Sequence, residues 1–325
     1  MKRKRGLIVG LCVIVIPAMS LLGLAVADKF PSKPINYWIA FTAGGPSDVG
    51  ARHQQQGLKD RLGVPIIIDY KPGAGGALCW SKLVQAKPDG YTLAGIIVPT
   101  INVQPHVMEG VGYKTEELEP IAIFENSPSG LAVSAKSSIR TLKEFVEKAK
   151  AQPRGMRVAV VAKFGGLHLS ALRFEKLAGV KFTIVPETGA APQLMALLGG
   201  HVDAVLGNSP DLVGYLKDIR PLAIGSPKQM EMLPGVPTFQ EAGFPGFFPS
   251  VQRGVAAPPK TPMEIKKILE KAFLDTVNQP DYKKKMIGMG FEPLSMGIEE
   301  SKGFIEKETK EYMEILKDIV KLKGQ

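Results

Sequence analysis

The sequence has too few cysteines for a disulfide scaffold. It contains two, Cys12 and Cys79, and Cys12 lies in an apolar N-terminal segment. If that segment is removed, Cys79 stands alone and no intramolecular disulfide can form. A chain of 325 residues buries enough apolar surface to be stable without one. We therefore predict that Cys79 is a small apolar residue on a helix face.

The motifs of common nucleotide-binding, hydrolytic and metal sites are also missing. No G-x-x-x-x-G-K-[ST] loop and no G-x-S-x-G elbow occurs. The segment PGAGGAL approaches G-x-G-x-x-G, but Leu78 replaces the last glycine. The four histidines are scattered without metal-ligand spacing, at His53, His106, His168 and His201. These absences argue against a cofactor, a metal ion and an enzymatic activity.

Basic residues outnumber acidic ones without forming a nucleic-acid surface. The net charge is +10, and without the first 27 residues the chain has 37 basic and 31 acidic residues, a net charge of +6. The basic residues are spread out and concentrate in C-terminal helices, with no basic stripe that carries aromatic residues. We predict no nucleic-acid partner, and a mild positive field that favours anions.

Beyond the N-terminus, no apolar run is long enough to cross a bilayer. The first residues are MKRKR, followed by a long apolar run that ends in Ala25-Val26-Ala27. This order is typical of a signal peptide, which we predict over residues 1–27. The apolar run is long for a signal peptide, so an uncleaved N-terminal anchor stays open. Both readings place the bulk of the chain outside the cytoplasm.

Apolar strands alternate with helices in two stretches, over residues 35–98 and 156–226. The first helix has Ser47 as its predicted N-cap. Between the stretches lies PIAIFENSPSGLAVSAKS, which we interpret as two extended runs joined by a break. This pattern predicts an α/β fold of two doubly wound sheets joined by a hinge. Residues 28–124 with 224–325 would form lobe 1, and residues 125–223 lobe 2.

Glycine-rich loops stand at the ends of four predicted strands. Their sequences are FTAGGPSD, KPGAGG, KFGGLH and ETGAAP, two in each lobe. Open α/β sheets bind ligands beyond the carboxyl ends of their strands, and helix N-termini attract anions. We therefore predict that the loops line one cleft for an anion such as a carboxylate. At Gly44 and Gly45, a tight turn between strand and helix is the purely structural alternative.

These motifs, in this order, carry a family resemblance that runs nearly end to end. The matching segments are PSKPINYWIAFTAGGPSDVGAR, VPIIIDYKPGAGG, PDGYTL, TIVPETGAAPQLMALLGGHVDAV, LPGVPTFQEAG and GVAAPPKTP. The chain resembles the extracytoplasmic solute-binding proteins of tripartite tricarboxylate transporters, the Bug family. The resemblance implies a two-lobed, type II periplasmic-binding fold that acts as a monomer. It also implies a small organic acid as ligand and, as partners, one large and one small integral membrane subunit.

Carried over position by position, the resemblance implies ligand contacts from both lobes. The backbone N–H groups of the first loop would form the main carboxylate cradle. The implied ligand-binding residues are Phe41, Thr42, Ala43, Gly44, Gly45, Pro46, Ser47, Asp48, Gly75, Gly76, Lys163, Phe164, Gly165, Gly166, Thr188, Gly189, Ala190, Asn208 and Ser209. No catalytic or metal-binding residue is implied.

Several residues near these loops have open roles. Lys163 and Phe164 depart from the family pattern: the lysine would pair with a second carboxylate if it faces the cleft, and the ring would stack on a ligand or cap the pocket. Glu187, also a departure, would favour an ammonium group, or it faces solvent. We expect Asp48 to hydrogen-bond loop N–H groups, while Arg52 either braces the loop or reaches the ligand.

The function predicted from these features is ligand capture by hinge closure between the lobes. Two alternatives stay open. One is the same fold acting as the ligand-sensing partner of a membrane sensor kinase. The other is a secreted enzyme that acts on a small acid, which needs a titratable pair in the cleft.

Overall fold

The computed structural model describes residues 30–317. The predicted signal peptide lies outside this range. The strands are β1 Ile35–Ile39, β2 Ile66–Tyr70, β3 Thr92–Val98, β4 Glu119–Ser134, β5 Arg157–Val161, β6 Thr183–Glu187, β7 Ala204–Asn208, β8 Ile219–Ile224, β9 Ser250–Ala257 and β10 Glu292–Met296. The helices are α1 Pro46–Leu62, α2 Ala77–Leu83, α3 Thr100–Val107, α4 Leu142–Ala151, α5 Gly166–Ala178, α6 Ala190–Leu198, α7 Ser209–Gly214, α8 Met263–Val277, α9 Pro280–Gly288 and α10 Ile298–Leu316.

The strands form two sheets that share β4. The first sheet has the order β2-β1-β3-β9-β4-β10, and the second has the order β6-β5-β7-β4-β8. β1 is parallel to β2 and β3, and β5 is parallel to β6 and β7, while β4 and β9 run antiparallel to their neighbours. The carboxyl ends of the parallel strands therefore gather at one edge of each sheet, where the glycine-rich loops begin.

The prediction of two extended runs with a break between the sheets is wrong, because β4 is one strand of 16 residues. It pairs with β9 from Glu119 to Pro128 and then with β7 and β8 from Ser129 to Ser134. Gly130 lies inside this strand and does not form a turn. It allows close packing, since a Cβ there would lie 2.8 Å from the Ala223 carbonyl oxygen. The chain thus passes between the two sheets in extended form.

The sequence analysis did not predict three elements: α3, α4 and β10. Helix α3 follows β3 almost directly, so one apolar run covers the strand and the start of the helix. Helix α4 has a detectable signal, because the Thr141 side chain accepts a hydrogen bond of 3.2 Å from the Glu144 N–H. Strand β10 pairs with β4 alone among the described strands, and a shift of register interrupts this pairing, so its sequence pattern is weak.

Apolar side chains from both faces of the sheets hold the strand ends in place. In the first sheet Tyr37 packs edge-on against Phe273, and in the half that holds α5 several phenylalanines surround Phe174. Cys79 is fully buried on α2, as predicted, and burial raises the pKa of its thiol to about 12. Among residues 30–317, no helix is long and apolar enough to span a membrane.

Candidate functional site

Loops from the two sheets enclose a cleft with about 530 Å³ of space between its walls, counting its open mouth. Three of the four predicted glycine-rich loops contribute to it, together with the ends of β3 and β5 and part of β9. The wall is formed by Phe41, Thr42, Gly45, Pro46, Ser47, Ile97, Thr100, Val161, Ala162, Gly165, Gly166, Leu167, Gly189, Ala190, Asn208, Val251 and Arg253.

Three helices begin at this wall. The N-caps of α1, α5 and α6 are Gly45, Gly165 and Gly189, and none of them caps its helix with a side chain. The first N–H groups of a helix have no acceptor within the helix, and the helix dipole favours negative charge there. The cleft therefore offers uncharged donors to an anion from both of its sides.

The predicted ligand-binding residues divide into two groups by position. Those on the cleft wall are Phe41, Thr42, Gly45, Pro46, Ser47, Gly165, Gly166, Gly189, Ala190 and Asn208. Those that the structure places off the wall are Ala43, Gly44, Asp48, Gly75, Gly76, Lys163, Phe164, Thr188 and Ser209. The wall position of the first group supports its predicted role, and ligand contact itself stays a prediction.

The prediction of Ser47 as the N-cap of α1 is wrong. Gly45 occupies the N-cap position with an extended backbone, and Pro46 begins the helix. Proline is favoured at this position because it lacks the N–H that would be left without a partner. Ser47 therefore lies inside the first turn, and its hydroxyl accepts a hydrogen bond of 3.3 Å from Arg253 Nε.

The acidic residue of the first loop shapes the cradle without entering the cleft. Asp48 Oδ2 accepts a 2.8 Å hydrogen bond from the Gly44 N–H, and Gly44 has a left-handed backbone with φ of 86°. Asp48 Oδ1 accepts 2.8 Å from Arg52 Nε and 2.7 Å from the Tyr70 hydroxyl. Asp48 therefore bonds a loop N–H group as expected, and Arg52 braces the loop, which is one of the two roles that the sequence left open for it.

The side chain of Phe164 turns away from the cleft. It packs against the cluster of Val103, Leu169 and Tyr312, and its N–H donates a 2.8 Å hydrogen bond to His168 Nδ1. Burial, and then the charge of Lys163, lower the pKa of His168 to about 4, so its ring is neutral and can accept this bond. Neither predicted role of Phe164 fits this position, because its ring fills a gap between α3, α5 and α10.

The two halves touch across the cleft. The Gly166 N–H at the start of α5 donates a 3.1 Å hydrogen bond to the Thr100 hydroxyl on α3. A Cβ at Gly166 would lie 2.9 Å from a methyl carbon of Val251 and 3.2 Å from Pro99. A Cβ at Gly189 would lie 2.8 Å from Thr42 Oγ1. Glycine is therefore required at these positions for the halves to come this close.

Sequence reasoning missed the one charged side chain on the wall, Arg253. It lies on β9 directly opposite Glu125 of β4, and only 5% of its surface is exposed. Its Nη1 donates a 2.6 Å hydrogen bond to Ser127 Oγ, while its Nε lies 3.8 Å from Glu125 Oε1. The available signal was a charged residue within an apolar strand, VQRGVAA, because such strands seldom bury a charge without a reason.

Two acids lie near this guanidinium, the fully buried Glu125 and the partly buried Asp211. Burial raises the pKa of Glu125 to about 7, although Arg253 opposes the shift. Burial likewise raises the pKa of Asp211 to about 6, opposed by a 3.2 Å hydrogen bond from Asn208 Nδ2 and by Arg253. Burial in turn lowers the pKa of Arg253, and both acids oppose that change. The cleft wall therefore holds one cation, Arg253. The net charge around it depends on whether Glu125 and Asp211 are protonated.

These groups predict a pH-dependent stability. The folded protein holds the Glu125 proton more tightly than the unfolded chain, where the pKa is near 4.5. Stability is fully present below the unfolded value and declines as the pH rises towards 7 and above, by about 3 kcal/mol from this residue. We expect urea unfolding at pH 5 and pH 8 to show this decline, and Glu125→Gln to reduce it. Glu292→Gln, whose carboxylate already accepts bonds from Asn126 and Ser226, should retain it; an equal decline in both variants would contradict the assignment.

Comparison with known proteins identifies the family. The model of the tripartite tricarboxylate transporter family receptor matches residues 50–320. The chain belongs to this family. The resemblance predicted from the sequence motifs is thereby confirmed. A UPF0065 protein of Cupriavidus necator is 31% identical over 316 residues, which is 95% of this chain and 96% of the relative.

Solved structures agree with this assignment. Rpa4515 of R. palustris, solved with adipate, has a TM-score of 0.85 and 28% identity, and the alignment covers 89% of this chain and 97% of that one. MatC of Rhodopseudomonas palustris, solved with bound malate, has a TM-score of 0.83 and 26% identity, with coverage of 89% and 100%. The two-lobed α/β fold is confirmed, and the protein is a periplasmic solute-binding receptor and not an enzyme.

Proposed function

We propose that this receptor captures a small organic acid between its two lobes and delivers it to the large and small integral subunits of a tripartite transporter. The observation that carries the proposal is the meeting at one cleft of three helix N-termini whose N-cap residues are glycines without a capping side chain. A carboxylate suits such a site, because backbone donors and helix dipoles bind negative charge without a fixed counter-charge. The adipate and malate of the similar structures support the same class of ligand.

Capture would proceed by closure of lobe 1, residues 28–124 with 224–325, onto lobe 2, residues 125–223. The hydrogen bond from Gly166 to Thr100 joins the two lobes. In an open form this contact would be absent, and each lobe would expose its own helix N-termini. An acid held by both lobes stabilises the closed form, and transporter subunits that prefer this form would receive the loaded protein.

Native mass spectrometry tests the proposal. The protein from Asp28 onward is purified without dialysis and then exposed to adipate, malate, citrate, glutamate and benzoate. We expect one acid to be retained at one-to-one stoichiometry with an unchanged mass over hours. Adipamide is the matched control, since it keeps the length of adipate and lacks its charge. Failure of every acid, or equal binding of adipamide, would contradict anion capture at this cleft.

A further inference from the structure

The guanidinium of Arg253 is bonded to neutral partners. Its Nη1 and Nε donate to the hydroxyls of Ser127 and Ser47. The nearest carboxylate oxygen, on Glu125, is 3.8 Å from Nε, which is too far for a hydrogen bond. Since Arg253 also lines the cleft, its charge is available to a group that enters there. A buried arginine with spare donors is suited to a carboxylate, which it can bind with two parallel bonds.

The Glu125 side chain, in contrast, has no donor to stabilise its charge. It is 1% exposed, and neither of its oxygens has a hydrogen-bond partner in the part of the chain that the structure describes. Helix α1 lies against it, because a Cβ at Gly50 would come within 2.7 Å of Oε2. An ionised carboxylate in such a place is costly unless it is paired and hydrogen-bonded.

The groups around Glu125 supply only one cation. Arg253 faces it from β9, Tyr37 faces it from β1, and Tyr282 faces it from α9. Pro293 lies opposite it on β10. Arg253 is therefore the sole positive group that acts on this carboxyl among the described residues, and any anion that binds Arg253 competes with Glu125 for the same charge.

We propose that Arg253 recognises the anionic group of the bound acid and that Glu125 takes up a proton as this acid enters. The inference rests on the proposed function and adds a residue that selects for charge, together with a coupled proton. An anion beside Arg253 raises the cost of a second negative charge in this dry site. Asp211 is the other acid near Arg253, but its carboxylate already accepts a hydrogen bond from Asn208. Glu125 has no such donor, so the proton goes to Glu125.

The coupling has a defined pH window. Burial raises the pKa of Glu125 to about 7, so well below this pH the proton is already bound and capture takes up none. Above about pH 7, binding of each acid takes up close to one proton, until the pH reaches the higher pKa that Glu125 has in the complex. Within that window the affinity for the acid falls by up to about tenfold for each pH unit.

Calorimetry with adipate and malate as probes tests the coupling. Binding heats are measured at pH 7.8 in phosphate, HEPES and Tris, whose ionisation enthalpies differ. A proton taken from the buffer makes the heat depend on the buffer, and we expect a slope that approaches one proton per acid. Glu125→Gln should lose this slope, and its affinity should no longer fall between pH 7 and 8.5. Glu292→Gln, on the neighbouring strand, is the matched control and should retain both.

A second measurement needs no variant, in case Glu125→Gln does not fold. The ¹³C shift of the Glu125 side-chain carboxyl is followed against pH, with and without adipate. We expect its midpoint to move upward when adipate binds. A fixed midpoint in the presence of bound adipate overturns the coupling.

The outcomes separate this inference from the proposed function. Heat from adipate or malate without buffer dependence overturns the coupling and leaves acid capture standing. A slope that persists in Glu125→Gln shows that another group takes the proton, and it overturns the role of Glu125. If no acid of the panel gives heat or a retained mass, the proposed function fails, and the coupling fails with it.

Discussion

Replacing Arg253 by glutamine is expected to raise the dissociation constant for the bound acid by between about tenfold and 150-fold. A hydrogen bond to a charged group contributes about 1.5–3 kcal/mol, and this range converts into the expected loss. Glutamine keeps a polar group beside Ser127 and Ser47, so the wall is not left empty. Calorimetry at pH 6.5 measures the effect, since Glu125 is already largely protonated there and the proton does not confound the comparison.

Two further variants define what Arg253 contributes. Arg253→Lys keeps the charge and loses the planar fork, so we expect a smaller loss than for glutamine. Arg61→Gln removes a cation from the outer face of α1, where Arg61 donates to the carbonyls of Gly57 and Asp275. This change should leave the affinity as it is. Wild-type affinity in Arg253→Gln would show that the backbone donors alone hold the acid.

Gly166→Leu is expected to weaken binding by between about fivefold and 150-fold through a different cause. Its side chain would collide with Val251 and Pro99, which belong to the opposite half of the cleft. Overpacking costs about 1–3 kcal/mol, and here the closed form alone bears this cost. The melting temperature without ligand should therefore change little. Small-angle scattering should show that adipate no longer compacts the molecule.

The matched control for this change is Gly303→Ala on α10. A Cβ at Gly303 meets nothing within 4 Å, and alanine is favoured over glycine inside a helix by about 0.5–1 kcal/mol. We expect a slightly higher melting temperature and unchanged affinity. If Gly166→Leu binds adipate as tightly as Gly303→Ala does, the contact at Gly166 is not part of the closed, ligand-holding form.

Most of the order of the strands and helices, all but α3, α4 and β10, and the position of three of the four predicted cleft loops could be predicted from the sequence alone. Apolar runs alternate with helical segments, and such runs form parallel strands whose carboxyl ends share one edge. Glycine-rich turns at those ends then meet for geometric reasons. The bracing of the first loop is local as well, because Asp48 reaches Gly44 and Arg52 within one helical turn. Interactions over so few residues can be predicted from spacing.

Only the tertiary structure decided which side chains face the cleft. The charge of Lys163 and the ring of Phe164 led to a prediction of ligand contacts. Packing between α3, α5 and α10 instead turns the Phe164 ring away from the cleft. Arg253 and Glu125 are far apart in sequence, and only the antiparallel pairing of β4 with β9 places them side by side. Their charge balance depends on burial, which no local pattern encodes. For this reason the family and three of the cleft loops were predicted, while the cation on the cleft wall, Arg253, was not.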